Sequence, residues 1–435
     1  MPGKRVFANL LDDANFKRLV REMSRRSLPW EEFLGFPQPS NMSPLESWHA
    51  LSKLSQCVAV PVPIPDFDLN PFWYRRTHEI DDGVRVVSCA CRSGSHLNEV
   101  IGGGAGQHFL TRLQIEETVA AATLDGVAVQ SDHAQELLRL DHSAQSDSDR
   151  LLQNTHTALA RLPDLVDEPF SVDMFMYIRE LLLKDVDLGQ VQLRPASRGI
   201  LMRAEDSSVD QREESAVRQM VVIADYLNRE SCDPDDLVTL QGELTVDAWR
   251  YYSPLGTISS QVGRLASKLF ALKNDLPVLA LLPLSRAKVD WERDFIRPPM
   301  VTYDRASYAQ VNERNPSDLT ALQTLAVQLI LVTLGQLQAR VAQWEERDGE
   351  MRRLLFDEPL LNQRQRSILG RALRAPAAEF RIRYHQKNHG IHYTTARRDL
   401  LELFERDYLV MEQRGKAFVF SRGPRLDELE ADRLS

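Results

Sequence analysis

Residues 319–344 are apolar nearly all round, interrupted only by isolated polar side chains such as Gln328, Thr333 and Gln336. A helix hydrophobic on every side must be enclosed by its neighbours or line a contact between two copies. This run therefore predicts a mainly α body built around it. Its most apolar window, residues 325–337, is too short to span a bilayer, so the expected location is cytoplasmic with no membrane association. After Trp344 the pattern turns charged through Glu345, Glu346, Arg347 and Asp348, which places a boundary near Leu355. At 435 residues the chain is long enough for two to four domains. The divisions expected are an N-terminal extension (1–100), a helical core (101–355) and a C-terminal module with its tail (356–435).

Ahead of the core, prolines at 29, 37, 39, 44, 61, 63, 65 and 71 cut the first hundred residues into short pieces. Ser43 followed by Glu46 reads as a capping box, opening a helix that buries Trp48, Leu51 and Leu54. Within the core, residues 114–127 read as an amphipathic helix. Residues 171–186 form another, with Phe175, Ile178, Leu181 and Leu182 on one face, and residues 213–228 a third, with Val217, Val221, Ala224 and Leu227. Between the last two, residues 191–194 and 199–203 alternate enough for a small hairpin, followed by an acidic insert at 204–210. The glycines of residues 102–106 lack both a preceding strand and a following Gly-Lys-Ser/Thr, so they read as a hinge and not as a phosphate loop. Cys57, Cys89, Cys91 and Cys232 are too few and too irregular for a disulfide framework. No metal site and no cofactor are expected.

Residues 244–252 lead into Ser253-Pro-Leu-Gly-Thr-Ile-Ser-Ser-Gln-Val-Gly-Arg264, and the helix that follows buries Val262, Leu265, Leu269 and Phe270. Set without a gap against H-P-F-x-[DE]-G-N-G-R-x-x-R, this stretch resembles the Fic family motif, keeping Pro254 and Arg264. In that family the His is a general base, the acidic residue holds Mg²⁺, and the Gly, Asn and Arg positions cradle nucleotide phosphates at a helix N-terminus. Here those positions carry Ser253 for the base, Thr257 for the carboxylate, Ile258 and Ser260 for the glycines, Ser259 for Asn and Gln261 for the first Arg. A serine hydroxyl is no base near neutral pH, and losing a general base costs about 10²- to 10⁴-fold. Without the carboxylate Mg²⁺ loses its protein ligand.

The resemblance extends outward from this turn. It implies a Fic-like helical core with a small β-hairpin flap, placed on the hairpin above. Residues 120–126 resemble the family's inhibitory helix with Ala121 for the hydroxyl and Asp125 for the Glu, which implies an Asp125–Arg264 ion pair. Asn70-Pro-Phe-Trp-Tyr and His78-Glu-Ile-Asp resemble the N-terminal extension of a Fic subfamily that ends in a winged helix.

Residues 361–423 hold 13 Lys or Arg against 6 Asp or Glu, a surplus of seven positive charges within a chain of formal net charge −9. Segregation of this kind is the footprint of a polyanion contact. The pattern reads as a winged helix-turn-helix: helices at 363–373, 382–389 and 394–406, then a hairpin. In the third helix Ala396, Leu400, Leu403 and Phe404 form the buried stripe. Tyr393, Thr394, Thr395, Arg397 and Arg398 in its first turns, with Arg414 and Lys416 at the hairpin tip, are the expected DNA contacts. His385, His389 and His392 are interrupted by Gly390 and do not read as a metal site. The expected partner is double-stranded DNA, bound by a homodimer, with a further protein partner left open. The reading is a catalytically inactive regulator of transcription; the alternatives are a divergent Fic nucleotidyltransferase and a protein-interaction scaffold.

Overall fold

The structure is a computed structural model and describes residues 10, 12–40, 42–65, 70–103, 106–127, 130–140, 143–191, 209–229, 234–293, 317–356, 361–374, 378–389, 391–414 and 417–431. These are mainly helical, with two small sheets. The chain separates into two compact units, Met1–Leu337 and Gln338–Ser435. That division falls inside one long helix, whereas the sequence pattern placed breaks near residues 100 and 355.

The first unit opens with α1 (Ala14–Arg25), α2 (Trp30–Leu34) and α3 (Pro44–Cys57). Asp13 caps α1, its Oδ1 accepting from the N–H groups of Asn15 at 2.8 Å and Phe16 at 3.1 Å. Ser43 and Glu46 form the predicted capping box at α3. The three helices share a small core of Phe16, Leu19, Phe33, Trp48 and Leu51, with the rings of Phe33 and Trp48 edge-on at 5.0 Å. Leu54, expected inside, is half-buried at its rim.

Proline-rich residues 60–65, which carried no strand expectation, form β1 (Val60–Pro65), antiparallel to β2 (Pro71–Tyr74) with Val60 opposite Tyr74 and Val62 opposite Phe72. The prolines stand at alternate positions, so all three missing N–H groups fall on one edge and the other edge is left to pair. Val62 and Ile64 are buried on one face.

The body follows as α4 (His78–Cys91), α5 (His96–Gly102), α6 (Gln107–Leu124), α7 (Ser131–Leu140), α8 (Asp147–Arg161), α9 (Val172–Leu183), α10 (Val209–Leu227), α11 (Pro234–Tyr252), α12 (Ser259–Lys273), α13 (Pro277–Leu281), α14 (Leu284–Glu292) and α15 (Thr320–Phe356). The predicted flap hairpin and most of the acidic insert lie outside the described residues, as do Gly104 and Ala105 of the glycine run. On α10 the buried face is Met220, Ile223, Ala224 and Leu227, while Val217 and Val221 are exposed. The i, i+3, i+4, i+7 quartet outcompetes the shorter ladder predicted from Val217.

The axis of the unit is α11 against α12. Trp249 on α11 is fully buried, edge-on to Phe175 of α9 at 4.9 Å. It fits because α12 presents Gly263, where a Cβ would lie 2.5 Å from that of Trp249. Gly83 gives α4 the same close approach to α15, a Cβ there meeting Val327 at 2.3 Å. α15 extends well beyond the window read from sequence: its Thr320–Glu346 stretch is long and apolar enough to cross a membrane by length and composition, and 72% of the apolar window is buried inside the structure.

The second unit contains α16 (Gln363–Arg374), β3 (Phe380–Arg381), α17 (Ile382–His389), α18 (Tyr393–Glu405), β4 (Leu409–Arg414), β5 (Ala417–Arg422) and α19 (Pro424–Ala431). The strands form one antiparallel sheet in the order β3-β5-β4, with Phe380 opposite Phe420 and Leu409 opposite Arg422. Its core includes Ile368, Leu369, Leu373, Phe380, Ala396, Leu400, Leu403 and Phe420. Phe404, expected in that stripe, is 36% exposed, and Asp399 is fully buried instead. At about 100° per residue, Ala396, Leu400 and Leu403 share a narrow sector with Asp399 on one flank and Phe404 on the other.

Candidate functional site

α11 ends at Tyr252, and the chain turns at once. Ser253 adopts a left-handed φ of 46° and Gly256 one of 62°. The Ser253 N–H donates to Trp249 O at 3.0 Å at the end of the helix, and the Gly256 N–H to Ser253 O at 3.0 Å closes the turn. A non-glycine residue in this conformation costs about 1–2 kcal/mol. The Ser253 hydroxyl donates to Arg250 O at 3.0 Å. Three residues after Gly256, α12 begins without a side-chain cap; the buried Ser259 Oγ accepts from the Leu255 N–H at 2.8 Å and braces the loop.

The other motif positions scatter in character. Thr257 is exposed and Ile258 fully buried. Gln261 is buried with Oε1 lacking a hydrogen-bond partner. Arg264, one turn further, has its guanidinium bonded to the Asp125 carboxylate at the C-terminal end of α6; the two side chains are 12% and 6% exposed. The space beside Gln261, Arg264 and Lys268 is a cavity of about 10 Å³, room for one water at most.

Behind that pair lies a second buried ion pair that sequence reasoning did not reach. Glu117 of α6 accepts from both the N–H and the Oγ of Ser285, at 2.9 and 2.8 Å. Lys268 Nζ stands 3.7 Å from Glu117 Oε1 and donates to the carbonyls of Ala280 and Leu282, each at 2.9 Å. The lone pairs and protons that burial would orphan are therefore occupied. Lys268 sits in the apolar stripe of α12, where only its charge was out of keeping with the pattern.

In the second unit, Tyr393, Thr394, Arg397 and Arg398 are exposed along the first turns of α18, and Thr395 is half-buried. Arg398 is within 3.8 Å of Glu402, a loose pair. Arg414, expected among the DNA contacts at the hairpin tip, stands between Glu379 at 2.5 Å and Glu412 at 2.9 Å. Those carboxylates hold its guanidinium above the ordinary arginine value, Glu412 first. Lys416 lies outside the described residues.

α18 is fastened from beneath. The Asp399 carboxylate accepts from Asn362 Nδ2 at 3.0 Å and from Arg364 Nε and Nη2 at 2.7 and 3.1 Å, and faces His385 Nε2 of α17 at 3.2 Å. Gln365 Nε2 adds a bond of 2.7 Å to Glu402. His385 is thus turned into this junction, while His392 is exposed. Among the described residues no three His, Cys, Asp or Glu side chains gather as metal ligands would.

No protein-family model matches the chain, and no curated protein sequence does either. Among solved structures it is similar to a Fic family protein from Desulfovibrio desulfuricans G20, at 15% sequence identity over 81% of this chain and 98% of that one, with a TM-score of 0.47.

Proposed function

We propose that the chain binds duplex DNA through α18 and that its first unit is a Fic-like body without nucleotidyl-transfer chemistry. The observation that carries the DNA reading is the face of α18: Tyr393, Thr394, Arg397 and Arg398 point outward together, while Ala396, Leu400 and Leu403 are buried behind them. A recognition helix presents its N-terminal residues to base edges and phosphates in this way. The order helix, short strand, two helices and a hairpin returning to pair with the first strand supports the winged-helix reading. Arg397 makes no ion pair among the described residues and Arg398 only a loose one, so both charges are available to phosphate.

Among the described residues, the motif positions support the inactive reading over a divergent transferase. The Ser253 hydroxyl is engaged with a backbone carbonyl, Thr257 offers no charge to a metal, and Arg264 is neutralised by Asp125. An electrophoretic shift assay on duplex DNA tests the reading. Replacing both Arg397 and Arg398 with alanine is expected to weaken binding at least tenfold, since two phosphate or base contacts of about 1 kcal/mol or more each are removed. Unchanged affinity in that double variant would overturn α18 as the reader.

A further inference from the structure

A cavity of about 560 Å³ opens within the first unit between β1, β2, α11, α14 and α15. Its wall is mostly apolar, including Ile64, Phe72, Tyr251, Trp291, Leu322 and Leu325. Size and polarity are those of a small-molecule pocket. Five charged residues border it: Glu243, Asp247 and Arg250 from α11, and Lys288 and Glu292 from α14. The lining that β1, β2 and α15 contribute carries no titratable side chain. Three carboxylates against two cations leave one negative charge in excess.

Asp247 feels both cations, Lys288 and Arg250. Lys288 Nζ is already paired with Glu243 Oε2 at 3.2 Å. Asp247, half-buried, receives no hydrogen bond among the described residues. Burial pushes its carboxyl up to about 6, against the opposing pull of Lys288 and Arg250. A desolvated carboxylate in an apolar wall calls for a charged donor from a ligand.

We propose that this cavity binds a small molecule with an apolar body and a single protonated amine, the ammonium seated on Asp247. An anionic ligand would have to displace the Lys288–Glu243 pair or lie beside the Asp247 carboxylate, and both oppose it. The proposal is independent of the DNA reading, and either can fail alone.

Calorimetric titration of the full chain with three matched probes decides it: 4-phenylbutylamine, 4-phenylbutan-1-ol and 4-phenylbutanoate. The amine is expected to saturate a single site at least tenfold more tightly than the alcohol, and the acid to bind most weakly. Between pH 7 and pH 5 the amine should lose about tenfold in affinity as Asp247 takes up a proton, with the alcohol unchanged. This arm uses the unaltered protein and so does not depend on a variant folding. Asp247→Asn should remove the preference for amine over alcohol, and Leu322→Trp, which fills the cavity, should abolish both. Tightest binding by the acid, equal binding by amine and alcohol, no saturable amine binding at millimolar concentration, or an unaltered amine affinity in Asp247→Asn would each overturn the proposal.

Discussion

Asp399 is fully buried and its carboxylate meets Asn362, Arg364 and His385, side chains from the start of α16 and from α17. Burial alone would raise its pKa, but the bonds from Arg364, then His385 and Asn362, outweigh it and hold the carboxyl below its ordinary 3.8. The depressed folded value means that the stabilisation is complete above the unfolded pKa and is lost as pH falls through the folded one, below about 3.8. Asp399→Asn leaves Arg364 and His385 without their anion, and breaking a buried pair in this way costs on the order of 3–5 kcal/mol. Denaturant unfolding followed by a probe in the second unit should show that loss at neutral pH and progressively less of it as pH falls below the ordinary 3.8. At this scale the sequence was a partial guide. Thr394-Thr-Ala-Arg-Arg-Asp-Leu was legible as the opening of a helix with two outward arginines, but nothing in it marked the Asp as interior. For Arg414 the contact with Glu412 is local, two residues back, whereas that with Glu379 is distant in the chain and left no trace in the pattern. The Asp125–Arg264 contact was reachable only through the family resemblance, and Glu117 with Lys268 not at all, since no local pattern marks a long-range pair.

Among the elements, α11 and α12 set the geometry of the motif turn between them, and Gly263 sets how closely they approach. Gly263→Ala should gain about 1 kcal/mol of helix propensity and lose about 1–3 kcal/mol by overpacking against the rigid Cβ of Trp249. A lowered melting temperature with quenched or shifted tryptophan emission is the expected result; a raised one would mean that the helices can part without cost. The helical elements were readable because burial follows a 3.6-residue period, as with Val262, Leu265, Leu269 and Phe270. Where two apolar ladders competed, as on α10, the pattern could not choose between faces. β1 went unread because its prolines argue against a strand unless one already knows that it has a neighbour on one side only.

For the whole molecule, the decisive property is unequal charge: a basic stretch of 63 residues within a chain of formal net charge −9. If about four phosphates are neutralised, the logarithm of the DNA association constant should fall with that of salt at a slope near −3.6, a loss of about 100-fold between 50 and 200 mM. A flat profile in the shift assay would place the contact elsewhere. The change of composition after Trp344 led the sequence reading to a boundary near residue 355, the second of two, while the compact units divide after Leu337. The position of that division was not legible, because α15 runs through it without a cap, a glycine turn or a proline to mark the place. The imino nitrogens of Pro61, Pro63 and Pro65 have a further consequence. The β1 margin of the small hairpin has nothing to donate, so a second polypeptide cannot zip onto that margin as an added strand.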